Sequence, residues 1–288
     1  MSTGINNINH VGMAVRDLAL TAARYEAMGF QLTPYSPHSA AWKPGDAVQP
    51  LGSGNRCVMF ENTYLEILAS EDAKRPAARI ANFLKHHQGA HIICFDCGDC
   101  DVVDRRVRGL GIATSGVIPL QRDIDTPEGV RTAKFLRTQF DPKDSPEGYI
   151  QAARHLTPEY IYQPRYTQHA NGCCQLAETI LVADDLAAFT QKYRRYIGAE
   201  PVQQGKAVHF RLALGTTLTI IGLHDAPELL PGTLLPPIPG IAAVTFRTPA
   251  LAALKDRLTS RGFTVVTADD RILVPAEEAC GVAMLFGS

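Results

Sequence analysis

The feature that most constrains the fold is an internal repeat, in which an apolar strand, a helix and a glycine stop follow one another four times. The clearest copy occupies residues 9–29, and a second clear copy occupies residues 175–198. Weaker copies run over residues 90–111 and 241–262. In the clear copies an Asp precedes the helix as an N-cap, and a Gly ends it. The repeat predicts a chain of structurally equivalent modules, whose matching positions can be compared.

Further strands follow the helix in each copy. In the first copy, apolar runs at 56–60 and 63–68 predict a hairpin with its turn at Asn62. The stretches 36–54 and 115–131 are irregular, and we interpret them as two long loops that rim the first half of the chain. Each unit is therefore a strand, a helix and three strands, an α+β arrangement.

The four units divide into two pairs. We predict a first domain over residues 1–155, a linker over 156–174 and a second domain over 175–288. A chain of 288 residues is long enough for about two domains. Three tyrosines of the linker, Tyr160, Tyr162 and Tyr166, are predicted to pack against the two domains and fix their relation.

Composition excludes several classes of function. A formal net charge of -1 gives no electrostatic reason for a nucleic-acid or membrane partner. No run of eighteen apolar residues and no signal-peptide pattern occurs, which favours a cytoplasmic protein.

The seven cysteines are read as reduced thiols. Cys97 and Cys100 have the spacing of a redox pair at the start of a helix. The alternative, which we prefer, is that Asp99 caps the helix, while Cys94 and Cys97 fill small core positions.

In the first half of the chain, polar residues stand at all four of the matching strand positions. These positions are His10, Glu66, His91 and Gln151, each surrounded by apolar residues. Their counterparts in the second half are predicted to be Glu178 (or Thr179, with a one-residue slip), Thr219, Ala242 and Ala283.

A charge in the middle of an apolar strand is costly unless it is paired or bound to a metal. Two imidazoles and a carboxylate form a ligand set for a divalent transition metal, and the amide oxygen of Gln151 could complete it. His38, Arg56 and Tyr64 are further candidates for the lining of this site. The second half is predicted to support the first or to serve as an interface, for example in a homodimer.

The unit order, with His10 in NHVGMAVRDL, Glu66 in YLEIL and His91 in GAHI, resembles the vicinal oxygen chelate superfamily. That superfamily includes glyoxalase I, methylmalonyl-CoA epimerase, extradiol dioxygenases and bleomycin- and fosfomycin-resistance proteins. The linker segments HLTPE and HANG make the chain look most like glyoxalase-like proteins of bacteria. The resemblance implies four βαβββ modules that form two half-open barrels, with the metal in the cup of the first.

Superfamily ligands come from the first and last strands of the modules, so the resemblance implies His10, Glu66, His91 and Gln151 here. The metal could be Fe, Mn, Zn or Ni, and the substrate a small molecule with two neighbouring oxygens. Glyoxalase I has a carboxylate where this chain has Gln151. Since Glu66 is then a metal ligand, the catalytic base is either Glu66 itself or His155, which is also an alternative fourth ligand.

Three functions remain open from the sequence. The first is a metal-dependent lyase or isomerase, in which the metal stabilises an enediolate. The second is an Fe(II) ring-cleaving dioxygenase that uses His10, His91 and Glu66 as a two-His, one-carboxylate set. The third is a metal-free small-molecule binding or resistance protein.

Overall fold

Four βαβββ modules form two curled sheets of eight strands each. A computed structural model describes residues 4–40, 49–72, 74 and 77–288. Modules one and two build the first sheet. Its strands are β1 (Ile5–Ala14), β2 (Ser36–Ala40), β3 (Gln49–Met59), β4 (Tyr64–Ser70), β5 (Gly89–Cys97), β6 (Ile118–Thr126), β7 (Gly129–Gln139) and β8 (Tyr149–His155). Its helices are α1 (Leu18–Ala27), α2 (Ala78–His86) and α3 (Cys100–Gly109).

A linker with two short helices, α4 (Pro158–Ile161) and a 3₁₀ helix (Pro164–Tyr166), leads to the second sheet. The strands of this sheet are β9 (Gln175–Ala183), β10 (Val202–Gln204), β11 (Ala207–Arg211), β12 (Thr217–Gly222), β13 (Gly240–Arg247), β14 (Val266–Ala268), β15 (Arg271–Val274) and β16 (Ala283–Gly287). Its helices are α5 (Leu186–Ile197), α6 (Ala226–Leu229) and α7 (Leu251–Ser260).

The two sheets share one strand order. The first runs β2-β3-β4-β1-β5-β8-β7-β6, and the second runs β10-β11-β12-β9-β13-β16-β15-β14. In the first sheet β1 and β5 are antiparallel at the centre, and each lies parallel to the last strand of its own module. Because β2 and β6 contact each other, the first sheet nearly closes, whereas the second forms a half-barrel.

The helix signals in the sequence act as predicted. The side chains of Asp17, Asp99 and Asp185 accept hydrogen bonds from backbone N–H groups in the first turns of α1, α3 and α5. Gly198 ends α5 in the left-handed conformation, with φ +76°. Helix α7 has no side-chain cap, which agrees with its place in the weakest copy of the repeat.

The main hydrophobic core lies between the two sheets and includes residues of both halves. The ring of Phe30, just after α1, lies 4.9 Å from that of Phe246 on β13. His169 of the linker packs edge-on to Phe30, accepts a hydrogen bond from the backbone N–H of Gln31 and donates one to the carbonyl of Met59. This histidine therefore has a structural role that joins linker and core.

The prediction of two long loops is wrong. Most of the described part of the first loop forms β2 and the start of β3, while 41–48 lie outside the described residues. Most of the second loop forms β6 and the start of β7, a hairpin at the sheet edge. Helix α2, between the modules, was not predicted.

All seven cysteines are unpaired, as expected for reduced thiols. The Sγ atoms of Cys97 and Cys100 lie 3.2 Å apart, and both residues are buried in the core. Asp99, which lies between the two cysteines in the sequence, caps helix α3, and this supports the structural interpretation of the motif. In the described part of the chain, no helix has the length and apolar character needed to cross a membrane.

Candidate functional site

The backbone register puts Glu66 and Gln151 at equivalent places in the first two modules. Glu66 on β4 pairs with Gly12 on β1, and Gln151 on β8 pairs with Cys94 on β5. Since β1 and β5 are the first strands of their modules, and β4 and β8 the last, Glu66 and Gln151 stand at corresponding positions. This is the correspondence that the repeat predicted.

His91 is displaced from the site by one residue. His10 lies two positions before Gly12 on β1, and the residue two positions before Cys94 on β5 is Ile92. His91 is instead the extra residue of a β-bulge between β5 and β1. Its ring stacks on Phe83 of α2 at 4.7 Å, and its Nε2–H donates to the carbonyl of His87 at 3.0 Å. In the described chain no hydrogen bond, ion pair or ring contact joins His91 to His10, so the structure does not support it as a ligand.

Glu66 lies between two histidines. Its Oε2 is 3.8 Å from Nε2 of His10, and its Oε1 is 3.8 Å from Nε2 of His38 on β2. The amide of Asn55 on β3 donates to Oε1 at 2.5 Å. The side chains of all three members of this group, Glu66 and the two histidines, are about nine-tenths buried, with 9–12% of their surface exposed.

The neighbours of His10 fix its tautomer. Its Nδ1 lies 2.8 Å from the amide oxygen of Asn9, which can only accept, so Nδ1 carries the hydrogen. The amide group of Asn9 is held in turn by donation to the hydroxyl of Tyr162 at 3.0 Å. The imidazole also stacks on Tyr64, with ring centroids 4.5 Å apart. The lone pair of Nε2 therefore faces Glu66, as in a metal-ligating histidine held by an outer partner.

The histidines of this site are neutral at physiological pH. Burial, helped by the positive charge of Arg122, lowers the pKa of His10 to about 3. Burial also lowers the pKa of His38 to about 4, against the opposing effect of Glu66. For His155 burial is again the main cause, followed by His10 and Arg122, and the pKa is about 3. Neutral imidazoles are available as electron-pair donors.

Among the described residues around the cup, several buried polar atoms have no hydrogen-bond partner, Oδ1 of Asn55 among them. Oε1 of Gln151 and Nδ1 of His155 are both buried without a hydrogen bond. The ring of His155 lies among three aromatic rings, at 5.0 Å from Phe135, 5.4 Å from Tyr162 and 6.2 Å from Tyr64. Unsatisfied buried groups of this kind are typical of a site that binds something.

A cavity of about 110 Å³ lies beneath the linker, and its wall includes none of His10, His38, Glu66, Gln151 and His155. Asn55, which bonds Glu66, reaches its wall, as does Arg122 from β6. The linker covers this cavity with Tyr160 and Tyr166. The linker tyrosines pack on the first sheet, so the prediction that they bridge the two halves is wrong. Arg122 was missed because it lies in a segment read as a loop.

The donor chemistry around Glu66 fits a divalent transition metal. Two neutral imidazoles, one carboxylate and an unpaired amide oxygen are nitrogen and oxygen ligands of the kind such ions bind. As the side chains stand, no three His, Cys, Asp or Glu groups among the described residues surround one point. Nε2 of His10 and Nε2 of His38 lie near different oxygens of the Glu66 carboxylate, each at 3.8 Å. Arg56 takes no part, because it pairs with Glu26 at 2.9 Å.

The equivalent position in the second half is used for structure. The register matches His10 with Glu178, because Thr219 pairs with Ile180 as Glu66 pairs with Gly12. The carboxylate of Glu178 accepts hydrogen bonds from the hydroxyl of Thr219, from that of Thr245 at 2.7 Å and from Arg271 at 3.0 Å. This network leaves no oxygen of Glu178 unpartnered.

The part of the second cup around the counterpart of Gln151 is apolar. Leu285, rather than the predicted Ala283, stands at the position of Gln151, because Leu285 pairs with Thr245 as Gln151 pairs with Cys94. The connector between modules three and four fills this end of the cup with side chains. Those that pack here are Leu229, Leu230, Leu235 and Ile238.

Comparison with known proteins identifies the type of domain. A family model described as a glyoxalase-like domain matches residues 8–197. No curated protein matches the chain.

Three solved structures share the fold. A hypothetical protein from Staphylococcus aureus has a TM-score of 0.64 at 12% identity, covering 97% of this chain and 98% of the other. A triple mutant of 4-hydroxymandelate synthase from Streptomyces coelicolor has a TM-score of 0.57 at 11% identity, covering 98% and 92%. The Mn(II)-bound glyoxalase from Novosphingobium aromaticivorans has a TM-score of 0.55 at 11% identity, covering 98% and 81%.

Proposed function

The chain belongs to the glyoxalase-like domain family of the vicinal oxygen chelate superfamily, and we propose that it is a metal-dependent lyase or isomerase acting on a small oxygen-bearing substrate. The observation that carries this proposal is the pair of neutral histidines, His10 and His38, on either side of Glu66. The Mn(II) of one structural neighbour supports it.

Four side chains are the proposed ligands. They are His10, His38 and Glu66, with the unpaired amide oxygen of Gln151 as the fourth. A divalent metal bound there supplies a Lewis acid for two neighbouring oxygens of the substrate. Asn55 and Asn9 hold the carboxylate and the first imidazole in place, as outer partners of metal ligands do.

His155 is the proposed general base. Its imidazole is neutral at neutral pH, its Nδ1 has no hydrogen-bond partner among the described residues, and it lies in the same cup as Gln151, four residues earlier on β8. It can accept a proton from the carbon next to a substrate carbonyl and return it to a neighbouring atom. Phe135 and Tyr162 flank the ring and keep water away from it. Glu66 then remains a ligand throughout.

A dioxygenase is the second candidate. His10, His38 and Glu66 form a two-His, one-carboxylate set, which is also the set of non-haem Fe(II) oxygenases. Oxygen consumption by the Fe(II)-loaded protein in the presence of catechols or 2-oxo acids distinguishes this reaction from isomerisation.

Metal content tests the proposal. Protein purified without oxygen and analysed by mass spectrometry is expected to carry about one transition metal per chain. Titration of chelator-treated protein with Mn(II) is expected to show affinity reduced by more than about 100-fold in His38→Gln, since loss of an outer partner alone costs about 10- to 100-fold.

His91→Gln is the matched control. It replaces a histidine of the same sheet that contacts α2, so it is expected to bind metal like the wild type. Full affinity in His38→Gln would refute this ligand set, and loss in His91→Gln would restore the set predicted from sequence. A chain that takes up none of Mn, Fe, Zn or Ni is a metal-free binding protein.

A further inference from the structure

Within the described part of the chain, Arg122 is a cation that forms no ion pair and no hydrogen bond at its Nε, and it faces the cup. Side chains along β6 alternate between partly buried and exposed, and Arg122 is on the inward side. Its Nε is buried and makes no hydrogen bond. Its guanidinium lies 5.6 Å from the ring of Phe135, and within the described residues it forms no ion pair.

The nearby carboxylates are already engaged. Asp125 pairs with Arg165 at 3.1 Å, and Asp123 accepts a hydrogen bond from Thr132 at 2.8 Å. Glu66 is held by its own contacts deeper in the cup. Arg122 therefore presents its positive charge to the cup from a partly buried position, with its Nε fully buried.

An unpaired buried charge destabilises a protein, so Arg122 has no evident role in the fold. A guanidinium is planar and always charged, and it binds carboxylates with two parallel hydrogen bonds. The cavity that Arg122 lines also has Tyr35, Tyr160 and Tyr166 in its wall. These features suit a small anion with an apolar or aromatic body.

We propose that Arg122 anchors the carboxylate of the substrate, which is therefore a small organic acid. This inference rests on the proposed function in taking the same cup as the active site. A carboxylate is favoured over a phosphate group because a single guanidinium, with no lysine among the described residues of the cavity wall, matches one negative charge. Bound at Arg122, the acid presents its remaining oxygens toward Glu66, on the side where Asn55 joins the cavity to the cup.

Binding of para-fluorobenzoate, followed by fluorine NMR on the full chain, tests the anchor. The neutral isostere para-fluorobenzamide serves as the matched ligand. The wild type is expected to bind the acid at least tenfold more tightly than the amide. Arg122→Gln is expected to lose at least tenfold in affinity for the acid and nothing for the amide. Arg131→Gln, an exposed arginine of the neighbouring strand, is the control and is expected to bind like the wild type.

Thermal unfolding separates binding from structure. Because Arg122→Gln removes an unpaired charge, the variant is expected to unfold at the same temperature as the wild type or higher. Equal affinity for acid and amide, or an Arg122→Gln variant that binds the acid normally, overturns the proposal. A lowered unfolding temperature points to a structural arginine and also overturns it.

The two proposals can fail separately. If the chain binds no metal but holds the acid through Arg122, the anchor stands and the enzyme proposal fails. If metal binds and the acid does not, the metal centre stands and the anchor fails. Running the acid titration with chelator-treated and Zn(II)-loaded protein covers both cases.

Discussion

Replacing Lys192 with methionine is expected to destabilise the protein strongly, because it leaves a buried carboxylate of the other half unpaired. Glu147, in the turn before β8, has no exposed side-chain surface. Its oxygens lie 2.8 and 2.9 Å from Nζ of Lys192 on α5, and one of them accepts a hydrogen bond from Tyr193 at 3.2 Å. This ion pair crosses from the first half of the chain to the second.

The expected loss is large compared with the total stability. Removing one partner of a buried ion pair costs about 3–5 kcal/mol, and most proteins unfold with a free energy of about 5–15 kcal/mol. With an m-value of about 3 kcal/mol per molar urea, the unfolding midpoint falls by roughly 1–1.7 M. Adding Glu147→Gln to Lys192→Met is expected to recover most of this loss, since the neutral amide can still bond Tyr193.

Urea unfolding followed by circular dichroism measures these changes. Lys255→Met on α7 is the control, because Lys255 is exposed and the substitution replaces the same charged side chain with the same neutral one. The reasoning is refuted if Lys192→Met unfolds within about 0.5 kcal/mol of this control, the usual range for surface substitutions.

Two further predictions concern backbone space and pH. Gly89→Ala is expected to destabilise the protein by several kcal/mol, because φ is +144° and a Cβ would lie 2.2 Å from the carbonyl oxygen of Gly281. Gly109→Ala, whose new Cβ would meet no atom within 4 Å, is expected to be neutral or to gain up to about 1 kcal/mol of stability in the same unfolding assay. If Gly109→Ala were less stable than Gly89→Ala, the packing described for these two glycines would be contradicted. Burial lowers the pKa of His155 from 6.5 to about 3, so the unfolded chain binds more protons than the folded chain between these pH values. The free energy of unfolding therefore decreases by about 1.4 kcal/mol for each unit by which the pH is lowered. His155→Gln is expected to reduce that dependence of stability on pH in metal-free protein between pH 7 and 5. His224→Gln, which replaces an exposed histidine, is the control and is expected to leave the dependence unchanged. An unchanged dependence in His155→Gln as well would show that His155 is not buried in solution.

Much of the fold could be predicted from the sequence because it rests on local signals repeated four times. Capping residues such as Asp17 and Asp185, and stops such as Gly198, depend only on neighbouring backbone groups. The same repeat placed His10 and Glu66 on central strands of the first sheet, where the structure brings them together.

Edge strands were harder to predict. Strand β2 contains Pro37, and β6 contains Pro119 with charged residues on its exposed side. Proline and charge are tolerated at sheet edges and also mark loops, so composition alone does not distinguish the two. The pairing partner across the sheet decides, and it lies far along the chain.

By itself the sequence determined the order of the modules, the sheet in which a site could form and the half of the chain that carries it. Only the tertiary structure decided which side chains meet there. A bulge of one residue turns His91 toward α2, and the curl of the sheet brings His38 to Glu66. Because side chains alternate between faces, a shift of one residue changes the face, and no local pattern records it. The unpaired charge of Arg122 is likewise a property of its neighbours, which come from distant strands and the linker.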